Sequence, residues 1–431
     1  MRHFSFNMVF LALLLVPFRL VAQELELKIV EQDSARPLAV ADSARPAAAT
    51  DSSRPLPAMD STLTVSLLTC SPGQETYELY GHTAIRITSS RDSQGIVYNY
   101  GVFDFNSPHF VWRFVLGKCD YLLWGEPLVA FMGQYVARGS WVMEQVLNLT
   151  PEEAMHIRDS LQVECRPENR VYRYNIFRNN CTTRARDLIE GCIRGRIIYP
   201  IRVEQHTFRS VLREFTEGHP WAREGNDLLL GADVDTVISE RDVMFAPLYL
   251  MQRMDSAMID AGMHRYRDLV RERRLLLAPN AVRQQAAAAA QPDFPLSPRV
   301  LGWTLLALGL CLAAFEWRRR RICWPVDAVL MTLQGLAGLL LCFMALFSVH
   351  PGVATNWQVW ALNPLPLFFV YSVVQSDRRR QRFVYHWFAA VFLVAFVLLY
   401  IIIPQDFSQL ILPVALLLLS RAVVHLLVYR N

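Results

Sequence analysis

Charged residues are scarce in this chain. Asp, Glu, Lys and Arg make up 19% of its 431 residues, against 53% hydrophobic. That balance excludes a purely water-soluble protein and calls for several membrane spans. The length fits two or three folding units. Also missing are CxxC, HExxH, a P-loop and a Gly-rich dinucleotide fingerprint, each of which holds a metal or a phosphate by a fixed spacing. His109, His156, His206, His219 and His264 are scattered without ligand spacing. No metal, nucleotide or other cofactor is therefore expected. The formal net charge of +4 discriminates little, because the arginines are clustered.

Residues 1–22 read as a secretory signal or N-terminal anchor. Arg2 and His3 form a short positive region, an apolar run follows, and Val21-Ala22 ends on a small residue. No cysteine stands at that point, so a lipobox is absent. Residues 23–61 repeat Asp-Ser-Ala/Ser-Arg-Pro from positions 33, 42 and 51. Pro, Ala and Ser dominate and no apolar face recurs, which predicts a disordered tether.

Five apolar segments fill 300–431, at about 300–317, 325–347, 357–374, 383–403 and 409–428. Each approaches the length that a helix needs to cross a hydrocarbon core. Arg318 to Arg321 follow the first, Arg378 to Arg380 and Arg382 follow the third, and Arg430 follows the fifth, whereas 348–356 and 404–408 hold no Lys or Arg. This alternation puts the C-terminus in the cytoplasm and residues 23–299 outside it. Because the basic runs sit at span ends, topology explains them and no nucleic-acid partner is expected. Asn363-Pro-Leu-Pro366 interrupts the third segment, as a kink or as an opening. Arg421 and His425 share a face of the last, where Arg421 is expected to snorkel to the interface.

Residues 62–275 make one extracytoplasmic α+β domain, with 276–299 as a linker. Strands are expected at 63–69, 84–88, 96–103, 140–149 and 171–177, the second and third forming a hairpin. Thr150-Pro-Glu-Glu153 opens a helix that runs to Glu164. The stretch 110–123 is ambiguous. The Arg-rich stretch 265–274 is expected to be a connecting helix near the membrane surface, where basic residues favour anionic lipid.

Chemistry concentrates at two places. Asn180 is a good N-cap, and Ala185, Leu188, Ile189, Cys192 and Ile193 form an amphipathic stripe behind it. Cys181 therefore sits at the positive end of a helix dipole, which lowers a thiol pKa. A reactive thiol and a buried structural one both fit this spacing. Cys70, Cys119, Cys165, Cys181 and Cys192 are an odd set before the first span, so at least one is free to be a thiol. About a hundred residues upstream, Gly81-His82 opens a strand, and His82 is the candidate base. Asn99 on the partner strand, or Asp104 just beyond it, would orient the imidazole.

The segments Tyr80-Gly-His-Thr-Ala-Ile-Arg-Ile87, Val97-Tyr-Asn-Tyr-Gly-Val-Phe-Asp-Phe105, Phe114-Val-Leu-Gly-Lys118 and Tyr174-Asn-Ile-Phe-Arg-Asn-Asn-Cys-Thr-Thr183 resemble the periplasmic domain of Lnb-type bacterial lipoprotein N-acyltransferases. The five apolar segments are similar to that family's membrane domain. The order of His before Cys also resembles permuted NlpC/P60, papain-like thiol enzymes. The resemblance implies a Cys181 nucleophile, a His82 base, a phospholipid acyl donor and a diacylated lipoprotein acceptor at the bacterial inner membrane. It also makes backbone N–H groups, Asn180, Thr182 and Tyr80 candidates for oxyanion or substrate contacts. Set against it are a thiol hydrolase of peptidoglycan or lipid, and a non-catalytic membrane scaffold.

Overall fold

The computed structural model describes residues 63–103, 108–200, 204–262, 265–290 and 294–429. The expected signal segment, the tether and Asp104 lie outside them.

Strands β1 (Thr64–Cys70), β2 (His82–Thr88), β3 (Ile96–Val102), β4 (Asp120–Pro127), β5 (Val142–Leu147), β6 (Val171–Arg173), β7 (Arg196–Ile198), β8 (Met258–Asp260), β9 (Tyr266–Asp268) and β10 (Val270–Leu277) build two sheets. The larger has the order β10-β5-β1-β2-β3-β4-β6, and β7-β8-β9 form the other. All pairings of the larger sheet are antiparallel. Its faces separate by the two-residue period of a strand. Val65, Leu67, Ile85 and Tyr98 face one core, with Ile157, Leu161, Ala185 and Ile189. Leu68, Cys70, Ala84 and Val97 face another, with Phe131 and Tyr135. The sheet is thus a middle layer. Helices α1 (Phe110–Val115) and α2 (Leu128–Arg138) come before α3 (Pro151–Glu164) and α4 (Cys181–Cys192) in the chain. Layer one is α2, and layer three is α3 with α4.

The hairpin of β2 and β3 forms as expected, with Ile85 opposite Tyr98. Thr150 and Glu153 make a reciprocal capping box at the start of α3. Three expectations change. The stretch 171–177 is a strand only to Arg173, because Asn175 Oδ1 accepts the N–H groups of Phe177 and Arg178 and turns the chain. The stretch 265–274 is β9 and the start of β10 rather than a helix. The open ladder of β5 takes β10 as an edge strand, and its exposed arginines keep that edge from pairing further. The expected linker 276–299 contains the end of β10 and α9 (Ala281–Ala290), which docks on α2 through Gln284 Nε2 to Gly139 O at 3.0 Å.

Between α4 and α9, the chain forms α5 (Phe208–Phe215), α6 (Pro220–Leu229), α7 (Glu240–Val243) and α8 (Pro247–Asp255). Residues 208–235 fasten the two halves of the molecule together. Buried Arg209 pairs with Asp227 at 3.1 Å and Asp235 at 2.6 Å. From this knot Gly231 N–H reaches Gly352 O at 2.6 Å, and Gln358 Nε2 donates to Asp227 O at 2.9 Å. Glu224 accepts the N–H groups of Gln409 and Leu410. These contacts fall within or just beyond the two loops that lack basic residues.

The C-terminal helices are α10 (Pro298–Arg319), α11 (Trp324–Phe347), α12 (Leu365–Arg378), α13 (Tyr385–Leu399) and α14 (Ile411–Val428). Among the described residues, four segments are long and apolar enough to span: α10, α11, Trp357–Arg378 and α14. The fourth expected span is a shorter apolar helix, α13. It stops before Pro404, which cannot continue the hydrogen-bond ladder. The break at Asn363–Pro366 is plugged by protein. Gln334 Nε2 donates to Ala361 O at 2.9 Å, and a Cβ on Gly338 would lie 2.2 Å from the Asn363 carbonyl carbon. Freed backbone is thereby covered away from lipid.

Arg421 does not snorkel. It is buried, with Glu316 at 2.5 Å and Asp327 at 2.7 Å. A guanidinium inside a bundle is tolerated when its charge and hydrogens are met in this way.

Candidate active site

The thiol and the imidazole arrive from two elements that pack directly. Helix α4 lies against β2 and β3, so the first turn of one meets the first residue of the other. Asn180 fixes that turn. Its Oδ1 accepts the N–H groups of Thr182 and Thr183 at 2.9 and 2.8 Å, and its backbone N–H donates to Thr183 Oγ1. Its Nδ2 donates to Ile176 O and Phe245 O. The amide therefore has no hydrogen left for a substrate, which corrects its candidacy as an oxyanion donor: it builds the helix start instead. The N–H of Thr182 is spent too, and the Thr182 hydroxyl meets Thr83 Oγ1 at 3.1 Å. Cys181 N–H makes no hydrogen bond among the described residues. It remains as the open donor at the positive end of α4.

The Cys181 thiol lies close enough to His82 for each to shift the other's acidity. Its Nε2 lies 2.7 Å from Asn99 Oδ1. Gly101 N–H, which can only donate, reaches the same oxygen at 2.8 Å. That oxygen is therefore the acceptor, and Nε2 carries the proton. Nδ1 is left for the thiol. Between the two orienting candidates, the described residues place Asn99 on His82, while Asp104 lies outside them.

Opposing effects set the acidity of the pair. Burial pushes the Cys181 thiol up, but the adjacent His82 charge and hydrogen bond, the Thr83 backbone and the Thr182 hydroxyl bring it down to about 7. For His82, burial acts downward, and the Cys181 charge with the hydrogen bonds to Cys181 and Asn99 outweighs it, so its pKa is raised. Buried Cys70, opposite His82 in the β1–β2 register, is different. Burial pushes it up to about 12. All eight cysteines are free thiols. Two thiols thus lie near one imidazole, and of the two only Cys181 is drawn toward the thiolate near neutral pH.

Two residues escaped the sequence reading. Glu126 on β4 lies beside the Asn99 amide and close to His82, and burial holds its carboxyl above the usual range. No motif marks it, because it reaches Asn99 only through strand pairing. Gly101 sits where the β3–β4 register shifts between Asn99 and Val102. A Cβ there would stand 2.5 Å from His82 Cε1. An isolated glycine in a strand is the signal of such close approach. Gly101→Ala is expected to push the ring off the thiol and slow iodoacetamide alkylation of Cys181 by roughly tenfold or more, with the fold retained. An unchanged rate in a folded variant would mean that this glycine does not position the ring.

The surroundings lead outward to the spans. Tyr121 and Tyr174 stack at 4.2 Å, close enough to Cys181 to feel its charge. Phe103 lies 4.8 Å from Tyr121, and Phe110 and Phe114 follow at 6.2 Å steps. On the same short helix, half-exposed Trp112 packs on Phe343 of α11 at 5.3 Å. Val349 N–H donates to Leu116 O at 3.0 Å, and His350 Nε2 meets Phe114 O at 2.6 Å. On the other side, Tyr80 accepts from Asn226 Nδ2 at 2.7 Å, tying the loop before His82 to α6. The site therefore lies between two anchors on the span ends.

Residues 58–214 match the Lnb N-terminal periplasmic domain, and residues 289–431 match the Lnb transmembrane domain. No curated protein matches the chain, and no solved structure does. The first match falls within the α+β half, over the segments that carry the thiol and the imidazole, the second covers the helical half on which it is docked, and the chain belongs to the Lnb family of multi-pass membrane proteins.

Proposed function

We propose that this protein is a thiol acyltransferase that takes an acyl chain from a membrane phospholipid as a Cys181 thioester. It passes the chain to the free α-amino group of a diacylglyceryl-modified lipoprotein cysteine. The observation that carries this reading is an oriented Cys181–His82–Asn99 set held against the ends of membrane spans by an aromatic run. Both substrates are lipid-anchored, so a tethered thiol meets them at high effective concentration. In this reading the domain lies in the periplasm, the C-terminus is cytoplasmic, and the domain is related to the permuted NlpC/P60 enzymes.

The chemistry follows from the tautomer. The Cys181 thiolate attacks the ester carbonyl, and the oxyanion forms beside Cys181 N–H. His82, protonated at this stage, gives its Nδ1 proton to the departing glycerol oxygen, and lysophospholipid leaves. The lipoprotein amine then attacks the thioester. Nδ1 takes a proton from the nitrogen, the C–S bond breaks, and the thiolate returns. Asn99 keeps the ring in its tautomer throughout. Phe103, Phe110, Tyr121 and Tyr174 offer the acyl chain an apolar path from the bilayer.

Labelled transfer tests this. Protein in vesicles of phospholipid with deuterated acyl chains is expected to gain one labelled chain on Cys181, which moves to the amine when a diacylated lipopeptide is added. Label released only as free fatty acid would favour a lipid hydrolase instead.

A further inference from the structure

We infer that the end of the helical bundle away from the α+β domain holds a divalent transition-metal site, with Asp377, His386 and His425 as ligands. Each of the five helices contributes one or two residues to a buried cluster there: Glu316 from α10, Asp327 from α11, Asp377 from α12, His386 from α13, and Arg421 with His425 from α14. One ligand atom from each of Asp377, His386 and His425 lies within 4.8 Å of the others, and all three residues are buried.

Three features of the cluster point to a cation. The first is charge. The cluster holds three carboxylates and one guanidinium, so the formal balance with neutral imidazoles is −3 + 1 = −2, which one divalent ion cancels. Three of the nearby arginines are engaged elsewhere. Arg382 donates to Leu426 O and Tyr429 O, Arg320 donates to Leu427 O, and Arg378 lies over the Trp324 ring. Protonating both imidazoles would also balance the charge, but their rings stack at 3.9 Å and 15° apart, where two cations repel.

The second is unmet bonding. His425 Nδ1 and Asp377 Oδ2 are buried without a hydrogen-bond partner among the described residues. Nδ1 lies 3.1 Å from Asp377 Oδ1, close but without hydrogen-bond alignment. With its Nε2 proton directed at Asp327, neutral His425 turns the Nδ1 lone pair toward the Asp377 carboxylate, a repulsion that a metal between them resolves.

The third is the surrounding support. His425 Nε2 is 3.0 Å from Asp327 Oδ2, and Arg421 grips both oxygens of Asp327. A metal-bound imidazole commonly donates its other N–H to a carboxylate, which fixes the tautomer with its lone pair on the metal. Two imidazole nitrogens and one carboxylate oxygen suit zinc and its neighbours better than calcium or magnesium. The ligands come from three helices, so no sequence spacing reveals them, and the expectation of no metal drawn from motifs does not reach this site.

The test is elemental analysis of the full-length protein purified in detergent, incubated with zinc and desalted. About one zinc per chain is expected, falling to about a tenth or less in His386→Ala and in Asp377→Asn. Zinc is also expected to raise the unfolding temperature of the wild type but not of the variants. Cobalt gives a second readout on the wild type alone, as a visible absorption band of an N,O-coordinated ion. Wild-type protein that retains no zinc and shows no cobalt band overturns the inference, as does full zinc retention in both variants. Neither readout uses acyl transfer.

Discussion

His82→Ala is expected to slow alkylation of Cys181 at pH 7 by roughly 50-fold. The sign and size follow from the thiolate fraction. With its pKa near 7, Cys181 is about half ionised at neutral pH. Burial alone acts upward, and the imidazole is the largest opposing influence. Without it the thiol returns at least to the ordinary value near 9, where about one percent is ionised at pH 7. The rate–pH profile should therefore rise through pH 7 in the wild type and only near or above pH 9 in the variant. Below pH 7 the wild-type rate should fall as the thiolate is lost. Because thiol and imidazole titrate as a pair, the inflection belongs to both. Asn99→Ala should give a smaller loss, since the charge beside the thiol survives and only its orientation relaxes. Superposable profiles for wild type and His82→Ala would remove the activated pair from the account.

Cys181→Ser should abolish acyl transfer, by at least about a thousandfold, while leaving the fold intact. The oxygen is nearly isosteric, so the helix start built by Asn180 does not change. However, a hydroxyl with a pKa far above that of the thiol is not ionised by this imidazole. Cys70 cannot substitute, although it lies near the same ring. Its burial keeps it protonated at any working pH. Intact-mass measurement separates chemistry from binding here, because the variant should carry no acyl chain. Persistent labelled transfer in Cys181→Ser would point to a different nucleophile.

The parts of this site legible in the sequence were those with local causes. Asn180 as an N-cap, the stripe behind Cys181, and the capping box at Thr150 all act within one or two helical turns. The β2–β3 hairpin follows from two β-branched runs around a polar turn, and it brings Asn99 to His82. What stayed hidden depended on pairing between distant segments. Glu126 meets Asn99 only because β4 adds to β3. Strand β10 reads as a basic helix until the exposed ladder of β5 requires a partner. The docking role of 208–235 lies in backbone contacts to loops more than a hundred residues away, which composition does not encode. Arg421 looked like a snorkelling residue because its partners, Glu316 and Asp327, stand on other helices. Gly101 was visible as an isolated strand glycine, but only the register showed which side chain approaches it.

The most direct test of the central claim is mass spectrometry of a model lipoprotein's N-terminus from cells whose only copy of this protein is wild type or Cys181→Ala. An acylated amine is expected with the wild type and a free amine with the variant at equal protein level. An acylated amine in both would contradict the claim.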